Sequence, residues 1–272
     1  MSADVRRRPK LGQHFLTSAS YRRRISEALP IGDDDLVIEI GAGRGAMTAR
    51  VAGRARRLVA VELDSGLAER LRQDLAGNER VEVLPGDILR LDLAEICRRH
   101  GVERAFAFGN LPYYITSPIL RHLFASAVYL RGMAFVVQRE VADRIVARPR
   151  SRDYGYLSVM TQSHSRPRVA LSIPPGAFSP PPAVSSALVI FEITKPRSGW
   201  DEARSQEFLE FVKLGFGQKR KKLVNNLTSA YPLTGVRQTL VGLGLGEGVR
   251  AEELGADDLA RLFEALRPIR QP

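Results

Sequence analysis

The stretch VIEIGAGRG, residues 37–45, decides how this chain is read. A short, mostly apolar run passes straight into glycines at Gly41, Gly43 and Gly45. Such a run fits a strand covered on both faces of a sheet. Glycines directly after it let a ligand approach the backbone closely. The spacing G-x-G-x-G differs from the dinucleotide pattern G-x-G-x-x-G and lacks the Gly-Lys-Ser/Thr of a P-loop. Taken alone, the turn would serve tight strand-to-helix packing as well as it would serve a ligand.

Outward from this turn the same pattern repeats. LVAVEL (58–63), VEVLPG (81–86), AFAFGN (105–110) and MAFVVQ (133–138) are further apolar runs. Amphipathic stretches separate them, for example Gly66–Leu75 with Leu67, Leu71 and Leu75 on one face. This alternation predicts an α/β fold with a mostly parallel, doubly wound sheet. ALVIFEI (187–193) follows the proline-rich IPPGAFSPPPAV with no room for a helix, so it is expected as an antiparallel addition near the edge. KPRSG (195–199) looks like a linker. Beyond it Phe208, Val212 and Phe216, then Leu223, Val224 and Leu227, and then Glu253–Leu266 carry helical spacing. The expected organisation is a basic arm over 1–36, a sheet domain over 37–196 and a small all-helical domain over 197–272.

Composition narrows the function. No apolar stretch approaches the roughly 20 residues that a membrane span needs, and MSADVRRRPK lacks the apolar core of a secretion signal. The single cysteine, Cys97, excludes an internal disulfide framework and fits a reducing cytoplasm. The four histidines are far apart, and no metal-ligand spacing appears. The net charge of +11 points to a polyanionic partner. Arg6, Arg7, Arg8 and Lys10 form one basic group, Arg22, Arg23 and Arg24 a second, and Lys219, Arg220, Lys221 and Lys222 a third. Any one of these alone reads as a solvated face.

Carboxylates at successive strand ends give the glycine turn its meaning. Glu62 ends the second run, where a carboxylate can accept hydrogen bonds from both hydroxyls of a ribose. Asp64 reads as a solvated acid or a helix cap. Asp87, in Gly86-Asp87-Ile88, can accept from the exocyclic amine of an adenine while Ile88 packs on the ring, although Gly-Asp is also ordinary turn chemistry. Open α/β sheets bind ligands at this edge. An adenosine-bearing cofactor is expected, and with no pyrophosphate cradle or nicotinamide pattern S-adenosylmethionine fits, its amino acid portion at the turn of Gly41 and Gly43.

The fourth run ends in Asn110-Leu111-Pro112-Tyr113. This resembles the (D/N/S)-(P/I/L)-P-(Y/F/W) motif of methyltransferases that act on exocyclic or amide nitrogens. The N6 lone pair of adenine is delocalised into its ring and is a poor nucleophile. The Asn110 side-chain oxygen and the Leu111 carbonyl can each accept one N6–H bond, which leaves the lone pair facing a methyl donor. Pro112 fixes its own φ and helps aim that carbonyl. Tyr113 offers a face for a flipped-out base, worth about 1–3 kcal/mol.

With these residues in view, the chain resembles the KsgA/RsmA family of small-subunit ribosomal RNA adenine dimethyltransferases. LGQHFL (11–16), EIGAGRGAMT (39–48), GNLPYYITSPIL (109–120), FSPPPAVSSAL (178–188), FGQKRKKLVNNL (216–227) and RAEEL (250–254) carry the resemblance over nearly the whole chain. It implies that His14 and Leu16 line the cofactor site from the arm, and that Gly41, Glu62 and Asp87 hold the methionine portion, the ribose and the adenine. Asn110 would serve cofactor and target amine together. Phe178 would sandwich the target adenine opposite Tyr113. Ala183-Val184-Ser185 departs from the family's usual Lys-Val-Asp. The implied substrate is a pair of adjacent adenosines in a hairpin loop near the 3′ end of small-subunit rRNA, each dimethylated within an immature 30S particle. The basic groups would hold its phosphates. A monomeric, cytoplasmic enzyme without metal is expected. The rival readings are an Erm-type large-subunit rRNA methyltransferase, a noncatalytic RNA-binding assembly factor and a DNA adenine methyltransferase.

Overall fold

The computed structural model describes residues 14–112, 114–194, 197–218 and 221–270. The strands, in chain order, are β1 (Phe15–Leu16), β2 (Leu36–Ile40), β3 (Arg57–Glu62), β4 (Val81–Pro85), β5 (Ala105–Asn110), β6 (Leu130–Gln138), β7 (Ser165–Ile173), β8 (Phe178–Ser179) and β9 (Ser186–Ile193). The helices used below are α1 (Ala19–Ala28), α2 (Thr48–Ala52), α3 (Ser65–Asp74), α4 (Leu93–Arg99), α5 (Thr116–Ala125), α6 (Arg139–Val146), α7 (Tyr156–Gln162), α8 (Glu202–Gly215), α9 (Leu223–Leu227), α10 (Leu233–Gly242) and α11 (Ala256–Leu266).

Seven strands form one sheet in the order β4-β3-β2-β5-β6-β9-β7. From β4 to β6 every pairing is parallel, and β9 then adds antiparallel to β6. This is the expected doubly wound sheet with an antiparallel addition near one edge. The reason lies in the side chains. Every residue of β2 is buried, and the interiors of β3, β5 and β6 are nearly so, because helices cover both faces of a parallel sheet. β4 is only half-buried and ends in Pro85, as suits an edge.

The opposite edge strand, β7, has no counterpart in the sequence reading. Its sequence SRPRVALSI places Arg166, Pro167 and Arg168 inside a strand. Its first half shows neither strand alternation nor an apolar run, and only Val169, Leu171 and Ile173 alternate. An edge strand tolerates both the charges and the missing proline N–H.

The chain forms two compact units. One comprises the residues up to Ala142 together with Arg168–Glu192, and the second comprises Asp143–Pro167 and the chain from Ile193 onward. The second unit is helical, with an aromatic centre. Trp200 meets Phe208 and Phe263 edge-on at 5.2 and 5.6 Å, and Phe211 meets Tyr231 at 6.0 Å. Asp143–Pro167 lay within the expected sheet domain. It joins the helical unit through Tyr154, which is fully buried, donates its hydroxyl to the Leu254 carbonyl at 2.9 Å and lies edge-on to Phe216. Burial pushes the Tyr154 phenol up to about 12. Among the described residues no helix is long and apolar enough to cross a membrane.

Register aligns the strand ends. Ile40 pairs with Val61 and Gly109, Glu62 with Pro85, and Asn110 with Val136. The close approach of β2 and β5 requires Gly109: a Cβ there would lie 2.4 Å from the Ile40 carbonyl oxygen. Gly109→Ala should therefore destabilise the first unit by about 1–3 kcal/mol through overpacking against backbone. Urea unfolding of parent and variant measures this. A variant as stable as its parent would mean that the two strands separate freely.

Candidate active site at the carboxyl edge of the sheet

The aligned strand ends open into one cavity. Gly41 and Gly43 line it from the turn after β2, Glu62 from the end of β3, and Asp87 and Ile88 from the turn after β4. Asn110, Leu111 and Pro112 line it from the end of β5, and His14 and Leu16 from the arm. The cofactor-binding candidates of the sequence reading therefore converge on a single cavity.

Backbone geometry makes the turn. Gly41, Gly43 and Gly45 all have positive φ, at 71°, 59° and 74°, which L side chains rarely adopt. The Gly41 N–H donates to the Val61 carbonyl at 2.8 Å, anchoring the turn to β3. Glu62, 4% exposed, accepts the Gly43 N–H on one oxygen at 2.7 Å and the Asp64 N–H on the other at 2.9 Å. Asp64 caps α3 by accepting from Gly66 and Leu67, so it is a helix cap rather than a free acid. One Asp87 oxygen accepts the Leu89 N–H at 3.0 Å. That bond makes Asp87 a turn residue and a cavity wall at once.

The described part of the arm, His14 to Leu16, forms one wall of the cavity. β1 pairs antiparallel with β8, Phe15 opposite Ser179 and Leu16 opposite Phe178. His14 Nδ1 lies 2.8 Å from the Pro180 carbonyl oxygen. Asn110 Nδ2 donates to the His14 carbonyl at 3.0 Å, tying the end of β5 to the arm. The Arg44 guanidinium sits over the Phe15 ring at 4.5 Å.

Phe178 is 4% exposed, belongs to the apolar core and is absent from the cavity lining. Its backbone pairs with Leu16, which ties the proline-rich segment to the arm. Tyr113, Arg6, Arg7, Arg8, Lys10, Lys219 and Arg220 lie outside the described residues. Arg22 and Arg23 sit on α1, and Lys221 and Lys222 are exposed ahead of α9 in the second unit. Among the described residues no group of His, Cys, Asp and Glu is placed to hold a metal ion.

Tyr114 and Glu39 are among the cavity residues to which the sequence reading gave no role. Tyr114 is 61% exposed yet lines the cavity. Glu39 lines it from within β2 at 3% exposure, and its Oε2 has no hydrogen-bond partner among the described residues. The signal was available, because a carboxylate inside VIEIG breaks an otherwise apolar strand. Burial pushes the Glu39 carboxyl up to about 7. The Thr48 hydroxyl pulls it down without reaching hydrogen-bonding geometry, and the Glu62 charge raises it further.

The sign of the pH effect follows. The unfolded carboxyl ionises near 4.5, whereas the folded one keeps its proton to about 7. Stability contributed by this group is thus full below 4.5 and falls as pH rises towards 7. Glu39→Gln should remove that fall, changing the stability difference between variant and parent by about 3 kcal/mol across the window. Urea titrations at a series of pH values test this, and parallel profiles would contradict it.

Comparison with known proteins gives this geometry its relatives. Residues 5–267 match the family model described as ribosomal RNA adenine dimethylase. Ribosomal RNA small subunit methyltransferase A of Acidobacterium capsulatum is 45% identical over 262 residues, covering 95% of this chain and 91% of that protein. The protein of the same name from Thermosynechococcus vestitus is 40% identical, covering 98% of this chain and 99% of that one. Among solved structures, the 23S rRNA methyltransferase ErmE is 28% identical, with a TM-score of 0.69 over 93% of this chain and 99% of that one. A dimethyladenosine transferase from Plasmodium falciparum, 20% identical, shares the fold with a TM-score of 0.77 over 94% and 99%. A match across nearly the whole chain, with the glycine turn, the strand-end acids and Asn110 gathered on one cavity, places this protein in the ribosomal RNA adenine dimethylase family.

Proposed function

We propose that this S-adenosylmethionine-dependent rRNA methyltransferase dimethylates N6 of two adjacent adenosines in the hairpin loop near the 3′ end of small-subunit rRNA. It acts as a single chain, in the cytoplasm, on an immature 30S particle. One observation carries the reading: Asn110 and Leu111 open into the same cavity as Gly41, Glu62 and Asp87. The small-subunit assignment is supported by 45% identity to the small-subunit relative against 28% to ErmE.

The cavity fits the cofactor. At Gly43 a side chain would crowd the Phe15 ring at 3.3 Å, and at Gly41 the positive φ of 71° is what disfavours one. The two glycines would hold the methionine portion. Glu62 would take the ribose hydroxyls, Asp87 the adenine amine, and Ile88 the ring face. His14 and Leu16 would close the site from the arm. When bound, the cofactor supplies an electrophilic methyl group on a sulfonium centre.

The chain's own residues prepare the nucleophile. The Asn110 amide nitrogen is engaged by the His14 carbonyl, which turns the amide oxygen towards a target N6–H. The Leu111 carbonyl accepts the second N6–H, with Pro112 fixing the backbone beside it. Leu111 is itself 1% exposed, and its N–H donates to the Val136 carbonyl at 3.1 Å, which anchors the peptide just ahead of its carbonyl. Tyr113 stacks the base. Positioning supplies most of the rate, since a well-aimed amine needs no general base.

Asn110→Ala should reduce methyl transfer at least about a hundredfold. Binding of S-adenosylhomocysteine should weaken by no more than about tenfold, because a single hydrogen bond to the arm is lost. Single-turnover kinetics and calorimetry separate the two, and unchanged turnover would remove Asn110 from the mechanism. Labelled S-adenosylmethionine should mark immature small subunits from cells lacking the modification, at two neighbouring adenosines. Label confined to large-subunit RNA would replace this reading with the Erm-type one, and absence of label from any RNA would favour a noncatalytic assembly factor.

A further inference from the structure

A second opening in the first unit lies between α1 and α2. Arg22, Arg23 and Glu27 line it from α1, and Arg50 and Arg54 from α2 and the turn after it. Gly45 and Ala46 form its end nearest the cofactor cavity, and Ala46 lines both openings. Four arginines against one glutamate make it strongly cationic.

These arginines are only partly engaged among the described residues. Arg54 donates Nη2 to the Leu29 and Ile31 carbonyls at 3.3 and 3.4 Å, which fixes its guanidinium. Its enclosed Nη1 has no partner among the described residues, and neither has the enclosed Arg22 Nε. Charged donors withdrawn from water without an acceptor are costly, and an anion relieves that cost. Arg23 meets Glu27 only at 3.9 Å, with both side chains about two-thirds exposed, so that pair leaves Arg23 available. Other arginines of the first unit sit beside acids, as Arg72 does with Glu69, Arg98 with Glu95 and Arg131 with Asp35. In the groove four arginines share one glutamate.

We infer that this groove binds backbone phosphates of the RNA substrate. Planar guanidinium forks match phosphate oxygens in geometry and charge, and four of them on α1, α2 and the turn after α2 can follow successive phosphates. The neighbouring glycine turn brings this strand of backbone beside the cofactor cavity. The assignment adds Arg50 and Arg54 to the α1 arginines and gives them one shared ligand. It rests on the rRNA reading above.

The test measures binding of immature small subunits to the full-length protein between about 50 and 200 mM salt. Arg22→Ala with Arg50→Ala should weaken binding roughly tenfold and lower the slope of log affinity against log salt by about 1–2. Arg22→Lys with Arg50→Lys should restore most of the slope, because charge rather than packing is at stake. Binding of S-adenosylhomocysteine, measured in parallel, should match the parent and so report an intact fold. An alanine pair with the parent's affinity and slope overturns the groove. So does weaker binding at an unchanged slope, which marks a structural effect. A parent that neither binds nor methylates the particles overturns the proposed function, and the groove with it.

Discussion

The buried Glu62 carboxylate receives the Gly43 N–H on one oxygen and the Asp64 N–H on the other. That pair of bonds clamps the glycine turn of one strand to the end of the next and to the start of α3. The glycines can take left-handed conformations, but freedom alone would leave the turn undefined. The carboxylate supplies the definition, and its own burial is tolerable because backbone donors meet its charge. The cavity floor, the cap of α3 and the spacing between β2 and β3 all follow from this junction.

The arm is the second half of the arrangement. Its short ladder with β8 and the bond from Asn110 to the His14 carbonyl join three distant parts of the sequence. Phe178 serves that join from inside, as a buried anchor behind Leu16. The site is therefore rigid where strands meet and depends on a two-residue pairing where the arm forms its wall.

Much of this was legible in the chain. The central strands could be read because parallel strands covered on both faces leave unbroken apolar runs, and the turn and strand-end acids because ligand chemistry restricts residue types there. β7 was hidden by Arg166, Pro167 and Arg168, which erase the strand signature. The attachment of Asp143–Pro167 to the helical unit depends on Tyr154 finding Leu254, a hundred residues away, and no local pattern encodes that. The burial of Phe178 was hidden for a related reason, since an aromatic beside prolines looks alike whether it lies in a core or at a surface. The groove between α1 and α2 needed two helices brought together before its arginines could be counted as one feature.

β7 has a further consequence. It is the outermost strand of the sheet, and an outermost strand offers unpaired backbone to any strand that comes near. Here the exposed Arg166 and Arg168 flank a proline that has no N–H to give. A second molecule approaching to continue the sheet meets like charge and a missing rung. The features that concealed this strand from the sequence reading are thus what keeps the sheet from growing by addition of another copy.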